Sequence, residues 1–448
     1  MHLALFLSFS GSHLAGWRHP LAGQGDPFDI ARYQRIAAQA EAAKLDMLFV
    51  ADKLSIDDIY GGTFEAAVRL RPAIHVEPLT LLSALAVSTS RIGLGATIST
   101  SYSEPYHAAR MFASIDHFSG GRAAWNAVTS VNDGEARNFS REEHLGHAER
   151  YERAAEFIDV VRLLWDTWEE DAIAPDKAAA RYSDPARIHY ADHRGKWFQV
   201  KGPLGAVRPP QGHPVLIQAG VSGAFQQLAA QGAEVIFPVQ STLEKARAFY
   251  ADFKAQVVAA GRAPDSVKVL PGIVPIIADT DEEALQLEAE LDALIDPEAG
   301  LSFMSGSMNY DLSVHPIDGP VPDIRDRIRG SKGRFDVVLK DAMDRGLTLG
   351  ELGRSYAKGL AFAKFVGSPR TVADQMERWV AERGADGFVV MPPYMPGGAE
   401  RFLEGVVPEL QRRGLFRTEY EGTTLREHLG LERPGNRFDA DFLAAAAE

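Results

Sequence analysis

Ser222 lies between two glycines, at the point where an apolar run ends and a helical pattern begins. Residues 214–219 read as a buried strand, and the helical pattern starts near Gly223. Gly220 and Gly223 let the backbone approach a ligand closely, and the free N–H groups at a helix start attract anions. A phosphate-binding turn is one interpretation of this spacing. The alternative is an ordinary serine N-cap, which satisfies the helix without a ligand.

Polar side chains also stand where three other apolar runs end. They are Asp52, Thr97, Asn126 and Thr129. In barrels of parallel strands the active site lies at the carboxyl ends of the strands, so these residues are candidates for ligand contacts. The alternative for Asp52 and Thr97 is a turn or cap role.

Two histidines and a tyrosine lie at the start of another helical pattern. His144 and His147 are three residues apart, with Glu149 beside them. Two histidines at this spacing can share one helical face and hold a metal, but no third ligand is identifiable, so we expect no metal. His147 and Tyr151 are four apart, so they can present polar tips to one ligand. The alternative for them is a half-buried pair without a ligand.

The common nucleotide and nucleophile signatures are missing. Gly93 and Gly95 follow the pattern of a dinucleotide-binding turn, but Ile98 occupies the place of the third glycine. No phosphate loop of the G-x-x-x-x-G-K-[ST] type is present, and Gly220 to Gly223 is one residue short of the G-x-S-x-G elbow. A hydrolase is therefore disfavoured.

Composition excludes several further classes. The chain has 448 residues, a formal net charge of −14 and no cysteine, so disulfide frameworks, iron–sulfur clusters and thiol nucleophiles are excluded. The acidic balance argues against a nucleic-acid partner. Residues 3–9 are only strand length and lack a positively charged start, so we predict a buried strand rather than a signal peptide. No apolar stretch approaches the ~20 residues of a membrane span, so we expect a cytoplasmic protein.

Short apolar runs recur along the chain, and a helical pattern follows most of them. The runs predicted as strands are residues 3–9, 47–51, 91–97, 123–128, 214–219, 234–238, 267–278 and 387–391. Strands that are apolar on both faces and separated by helices indicate a parallel sheet. About eight such units predict an α/β fold of the closed (β/α)8 TIM-barrel type rather than an open doubly wound sheet.

Three segments do not fit this alternation, namely residues 18–26, 169–210 and 297–365. With no internal repeat and no low-complexity linker, residues 1–448 are predicted to form a single domain. It carries insertions at about 169–210 and 297–365 and a C-terminal extension at about 415–448. Long structureless segments inside a compact domain are often functional lids, so we expect residues 297–365 to cover the catalytic face.

Several motifs together resemble one family, and they cover nearly the whole chain in order. They are WRHP at 17–20, LFVAD at 48–52, GATISTSYSEPY at 95–106, GRAAWNAVTS at 121–130, ARNF at 136–139, HxxRY at 147–151, QAGxS at 218–222 and GSP at 367–369. This set is similar to the bacterial luciferase-like flavin-dependent monooxygenases. It most resembles the branch that acts on nitrilotriacetate, EDTA, dibenzothiophene sulfone and long-chain alkanes.

The resemblance implies a barrel with FMN at the carboxyl ends of its strands. A separate NAD(P)H:FMN reductase would deliver the flavin already reduced, and O₂ would be the co-substrate. Carried over by motif, the cofactor-binding residues are Asp52, Thr97, His147, Tyr151 and Ser222. The family also implies a homodimer or homotetramer.

Three residues are candidates for catalytic roles. By their position, Asn126 and Thr129 can bond polar edges of the flavin or a reacting oxygen, and His13 can modulate protonation, since an imidazole can both donate and accept a proton. The substrate is expected to be a small organic compound, apolar, sulfur-containing or xenobiotic. Two alternatives remain open, namely an F420- or flavin-dependent oxidoreductase of the same fold without oxygen insertion, and a non-catalytic flavin-binding protein.

Overall fold

The computed structural model describes residues 1–439. The last nine positions of the expected C-terminal extension, 440–448, lie outside the described residues. Among residues 1–439, no helix combines the length and hydrophobicity that a membrane-spanning segment needs.

Twelve strands and sixteen α-helices make up the described chain. The strands are β1 His2–Phe6, β2 Met47–Val50, β3 Gly93–Ser99, β4 Ala123–Val128, β5 His193–Arg194, β6 Gln199–Val200, β7 Val215–Ala219, β8 Val235–Phe237, β9 Lys268–Val269, β10 Gly272–Ile277, β11 Ala363–Gly367 and β12 Gly387–Val390. The helices are α1 Ile30–Ala42, α2 Glu65–Leu70, α3 Pro78–Ala86, α4 Pro105–Ser119, α5 Asp133–Asn138, α6 His147–Asp166, α7 Gly223–Gly232, α8 Leu243–Ala259, α9 Asp281–Ala293, α10 Pro297–Met308, α11 Lys332–Asp344, α12 Leu349–Ala357, α13 Pro369–Ala381, α14 Gly397–Arg401, α15 Val407–Arg412 and α16 Leu425–Leu429.

The parallel strands close into a ring, which confirms the predicted barrel. From β1 the pairing runs through β2, β3, β4, β7 and β8 to β9. The chain then continues from β9 into β10, which pairs with β12, and β12 pairs in parallel with β1. The single predicted strand at 267–278 is therefore two strands, interrupted at Leu270 and Pro271. β11 pairs with β10 as an additional edge strand, and the sequence did not predict it.

The barrel interior is a packed apolar core, and the C-terminal part of the chain contributes to it. Leu425 and Leu429 of α16 belong to the same buried cluster as Met47 and Val215 from the strands. Arg426, almost fully buried, binds both carboxylate oxygens of Glu234 at 2.6 and 3.0 Å. Residues beyond 415 thus contribute to the barrel itself.

Residues 297–365 contain three helices, although the sequence showed no clean period over part of this segment. α10 begins at Pro297 with Asp296 as its N-cap, and it packs on α12 so closely that a Cβ on Gly300 would lie 2.0 Å from the carbonyl oxygen of Gly353. A helix buried on several faces by small residues has no polar face, so it shows no amphipathic period. Residues 316–319 are irregular, as expected.

Candidate active site

The carboxyl ends of the barrel strands open onto a cavity of about 360 Å³. Its apolar lining includes Phe49, Phe237 and Phe362, and the rings of Phe237 and Phe362 are stacked at 5.5 Å. Every predicted site residue except His13 lines this cavity, namely Asp52, Thr97, Asn126, Thr129, His147, Tyr151 and Ser222. The barrel has brought together side chains that lie up to 170 positions apart in sequence (52 to 222).

Ser222 is the N-cap of α7 and forms one end of the cavity. Its Oγ accepts a hydrogen bond from the N–H of Phe225 at 3.2 Å, so Ser222 caps the helix, as the alternative interpretation of this serine predicted. Tyr151 Oη lies 3.5 Å from Ser222 Oγ, and the rings of His147 and Tyr151 are 4.9 Å apart on α6. Polar groups from two helices therefore converge on the start of α7, where backbone N–H groups attract an anion.

Two amide side chains that line the cavity have oxygens without a hydrogen-bond partner. Asn126 Nδ2 donates to Thr97 Oγ1 at 2.9 Å, and Thr97 donates in turn to the Val50 carbonyl at 2.8 Å. Asn126 Oδ1 and Gln218 Oε1 are buried, and neither has a hydrogen-bond partner within residues 1–439. Because a buried acceptor without a partner costs free energy, these oxygens suit a ligand that brings N–H donors.

Asp52 carries the most strongly shifted carboxyl of this cavity. Burial raises its pKa to about 6, and the nearby carboxylates of Glu77 and Glu135 act in the same direction. The backbone N–H of Lys53 donates to Asp52 Oδ1 at 2.8 Å and offsets part of this effect. A carboxyl that titrates near neutrality can hold or release a proton during a reaction.

Thr129 reaches the cavity at the start of a left-handed turn. Ser130, the next residue, has a φ of 56°, which is uncommon for a residue other than glycine and is often found at functional sites. Its Oγ bonds Ser99 Oγ at 2.9 Å, and its carbonyl accepts from Arg150 Nη1 at 2.7 Å. These bonds hold the turn and so fix the position of Thr129.

His144 and His147 do not share a helical face, which corrects the expectation from their spacing. α6 begins only at His147, so His144 precedes the helix. The backbone N–H of His144 donates a hydrogen bond to Asp133 Oδ1 at 2.9 Å. The His144 ring is hydrogen-bonded to Tyr102 Oη and lies 3.1 Å from Arg150 Nη1, and burial lowers its pKa to about 4. In the described part of the chain, no group of three or more candidate ligands could hold a metal ion.

His13 lines a second, smaller cavity of about 240 Å³, which adjoins the first. The two cavities share Ala51, Asp52, Lys53 and Phe303 as lining residues. His13 Nδ1 accepts from the N–H of Ala15 at 3.3 Å, so Nε2 carries the proton of the neutral ring. Nε2 is buried and lies 3.6 Å from Asp292 Oδ1, too far for a hydrogen bond.

Several residues of the site were not singled out from the sequence. Gln218 had a signal, since it is a polar residue near the end of the otherwise apolar run at 214–219. Arg334 had no such signal, because it comes from the insertion, whose position over the barrel is a tertiary property. Arg150 lies within the HxxRY motif, but its role as a buried anchor for the Ser130 turn is visible only in three dimensions.

The chain matches the family described as luciferase-like monooxygenase over residues 6–387. It is 48% identical to N-acetyl-S-(2-succino)cysteine monooxygenase of Bacillus subtilis (strain 168), an alignment that covers 97% of this chain and 98% of that protein. It is 45% identical to nitrilotriacetate monooxygenase component A of Aminobacter aminovorans, with 97% of each chain covered.

A solved structure extends this likeness to the fold. The crystal structure of a riboflavin lyase with modified FMN and substrate riboflavin superposes with a TM-score of 0.87 at 32% identity, covering 97% of this chain and 96% of that one. The family match spans most of the chain, both relatives align over nearly their full length, and the catalytic face of the barrel carries the cavity described above. The chain therefore belongs to the luciferase-like monooxygenase family.

Proposed function

We propose that this chain is the oxygenating component of a two-component monooxygenase. It uses reduced FMN and O₂ to oxidise a small organic substrate, apolar, sulfur-containing or xenobiotic, in the overall reaction substrate + O₂ + FMNH₂ → oxygenated substrate + FMN + H₂O. When bound, the reduced flavin supplies the two electrons that allow one oxygen atom to enter the substrate while the other leaves as water.

One observation carries the assignment of a flavin: Asn126 and Gln218, whose side-chain oxygens are buried and unpaired in the described chain, line the same cavity as the capped start of α7. A flavin ring offers an N–H donor, and its phosphate suits a helix N-terminus, so the residues present fit the group. The aromatic lining from Phe49, Phe237 and Phe362 suits a flat ring. Asp52, Thr97, His147, Tyr151 and Ser222 would hold the cofactor.

The chain's own residues would position the reactants and control protons. We assign Asn126 and Thr129 to polar contacts with the reacting oxygen or the ring edge, and His13 to a proton-donating role from the adjoining cavity. The Asp52 carboxyl, with a pKa of about 6, would hold or release a proton beside the ring.

Residues 297–365 would exclude water from this site. Phe303 and the segment 330–334 line the cavity, and a Cβ on Gly333 would lie 3.2 Å from Ser222 Cβ. Excluding water matters because reactive oxygen chemistry exposed to solvent is lost to side reactions. We propose that this insertion acts as the lid of the active site.

A separate NAD(P)H:FMN reductase is the proposed partner. The name of the Aminobacter aminovorans relative, component A, supports a system of more than one component. The predictions of a cytoplasmic location and of a homodimer or homotetramer accompany this proposal.

The test is a coupled reaction under ¹⁸O₂ with a flavin reductase, NADH and FMN, using a substrate panel that includes a sulfone, an alkane, a thioether and an aminopolycarboxylate. We expect a product that carries one ¹⁸O atom and forms only when the flavin is supplied reduced. Product formation without flavin, or no flavin-dependent product across the panel, would contradict the proposal. Replacing FMN by F420 distinguishes the hydride-transfer alternative, which needs no oxygen.

A further inference from the structure

The smaller cavity that adjoins the proposed flavin site has a cationic wall. Lys53 and Arg71 both line it, and they bind the same carboxylate, that of Asp57. Lys53 Nζ bonds Asp57 Oδ1, and Arg71 Nη2 bonds Asp57 Oδ2. Two cations therefore share one anion, and this group of three side chains carries a net charge of +1.

Asp57 is a fixed part of this group. Its side chain is 1% exposed, and a Cβ on Gly306 of α10 would lie 1.9 Å from Asp57 Oδ1, so the insertion packs directly on the carboxylate. Because a buried carboxylate is stable only when paired, Asp57 keeps both cations at the cavity. Since Asp57 carries only one negative charge, it leaves one of the two positive charges without neutralisation.

Both cations retain hydrogen-bond donors for a ligand. Arg71 is 6% exposed, and only its Nη2 is used by Asp57, so its Nη1 has no hydrogen-bond acceptor in the described chain. Lys53 Nζ has three N–H groups and one recorded acceptor. Both cations lie over the Phe303 ring, at 5.4 Å for Lys53 and 5.1 Å for Arg71, which holds their positions without using a donor.

The rest of the cavity is mostly apolar. Its other ionisable residues are Asp52, on the wall shared with the flavin site, His13, Tyr33 and His75, and none of the ion pairs described joins Asp52 to Lys53 or Arg71. The apolar lining includes Phe9, Leu14, Ile74, Leu81, Leu360 and Met391. A ligand that fills this space needs an anionic end at Lys53 and Arg71 and an apolar body elsewhere.

We propose that the organic substrate binds in this second cavity through a carboxylate held by Lys53 and Arg71, with an apolar or thioether body against the remaining wall. This inference rests on the proposed function, because it places the substrate beside the flavin across the shared residues Asp52 and Phe303. Arg71 and Lys53 are then specificity-determining residues. A planar carboxylate can accept from both donors at once, and such charge-assisted hydrogen bonds are the strong ones.

The experiment measures binding without turnover. The protein is saturated with oxidised FMN, and calorimetry compares matched pairs of ligands in which a carboxylate is replaced by the carboxamide, on benzylthio, alkylthio and alkyl bodies. We expect at least one body to bind about tenfold or more tightly as the carboxylate, which is the effect of one charge-assisted hydrogen bond. A panel in which no carboxylate is preferred overturns the proposal.

Lys53→Met should remove the preference, lowering carboxylate affinity about tenfold while leaving carboxamide affinity unchanged. Lys53→Arg should restore it, and an unchanged FMN affinity shows that each variant is folded. The matched control is Lys245→Met, since Lys245 lines a cavity of about 630 Å³, formed with α11 and α12, that shares no lining residue with the second cavity. A loss of carboxylate binding in the Lys245 variant and not in the Lys53 variant would overturn the assignment of the cavity.

The coupled reaction separates this inference from the proposed function. Oxygenation of neutral substrates only, with no preference for carboxylates, refutes the carboxylate site and leaves the monooxygenase intact. Selective carboxylate binding with no flavin-dependent product from any substrate refutes the proposed function instead.

Discussion

Asp52→Asn tests the electrostatics of the proposed flavin site. Burial raises the pKa of Asp52 from 3.8 to about 6, so the folded chain binds this proton more tightly than the unfolded chain does. The stability that the protonated carboxyl contributes is fully present below pH 4 and is lost as the pH rises through 6. Asparagine has no charge to bury, so the variant does not lose this stability.

The size of the effect follows from the pKa difference. A shift of about 2 units corresponds to about 3 kcal/mol, since one unit is worth 1.36 kcal/mol. About half of that, roughly 1.5 kcal/mol, falls between pH 5 and pH 8, because the carboxyl of the unfolded chain is already ionised at the lower limit. The side chain keeps some contact with solvent, so this value is the upper end of the expected range.

The assay is urea unfolding of the flavin-free protein at several pH values. The free energy of unfolding of the Asp52→Asn variant, relative to the natural chain, should rise by up to about 1.5 kcal/mol from pH 5 to pH 8. Asp318→Asn is the matched control, because Asp318 is exposed and should give a flat difference. A flat or falling difference for Asp52→Asn would refute the desolvation argument.

Three further predictions concern the anion site, the helix packing of the insertion and the core of the barrel. Ser222→Asp keeps an N-cap but places a negative charge at the proposed phosphate site. In fluorescence titrations, the affinity for FMN should fall about tenfold or more, while the affinity for riboflavin stays unchanged. An equal loss of affinity for both flavins would contradict a phosphate contact. Gly300→Val places a side chain against the Gly353 carbonyl, so thermal denaturation should show that the free energy of unfolding falls by about 2 kcal/mol or more. The control is Gly223→Ala, at a helical position with open space around it, which should lower the free energy of unfolding by less than about 1 kcal/mol. Leu425→Ala should lower the free energy of unfolding by about 2–5 kcal/mol in urea titrations; a loss under about 1 kcal/mol would show that α16 does not complete the core.

The barrel could be predicted from the sequence because each ring strand is apolar on both faces and is separated from the next by a helical pattern. The interruption at Pro271 escaped prediction, since the residues on both sides of it are equally apolar. β11 escaped for a different reason. It lies inside a segment that reads as insertion, and its pairing with β10 is a contact between residues about 90 positions apart, which no local pattern encodes.

The residues of the first cavity were predictable where the motif placed them at strand ends or helix starts. Asp52 and Ser222 follow this rule, because their neighbours in sequence determine where the element stops. The sequence predicted His13 in the second cavity, but its cationic wall was not predictable. Lys53 and Arg71 become a pair only through Asp57, and Asp57 is buried only because α10 packs on it. A charge pair that depends on an insertion more than 200 positions away (57 to 306) leaves no trace in spacing.

The position of α16 has a consequence for how the chain folds during synthesis. Leu425 and Leu429 belong to the core inside the strand ring, and Arg426 ties this helix to the start of β8 through Glu234. Residues 425–429 emerge from the ribosome only after every strand of the ring has been made. A nascent chain can thus complete its strand pairing while the interior still lacks two leucines and stays open to water. For this protein, synthesis of residues 425–429 is therefore the step that completes the buried core of the barrel.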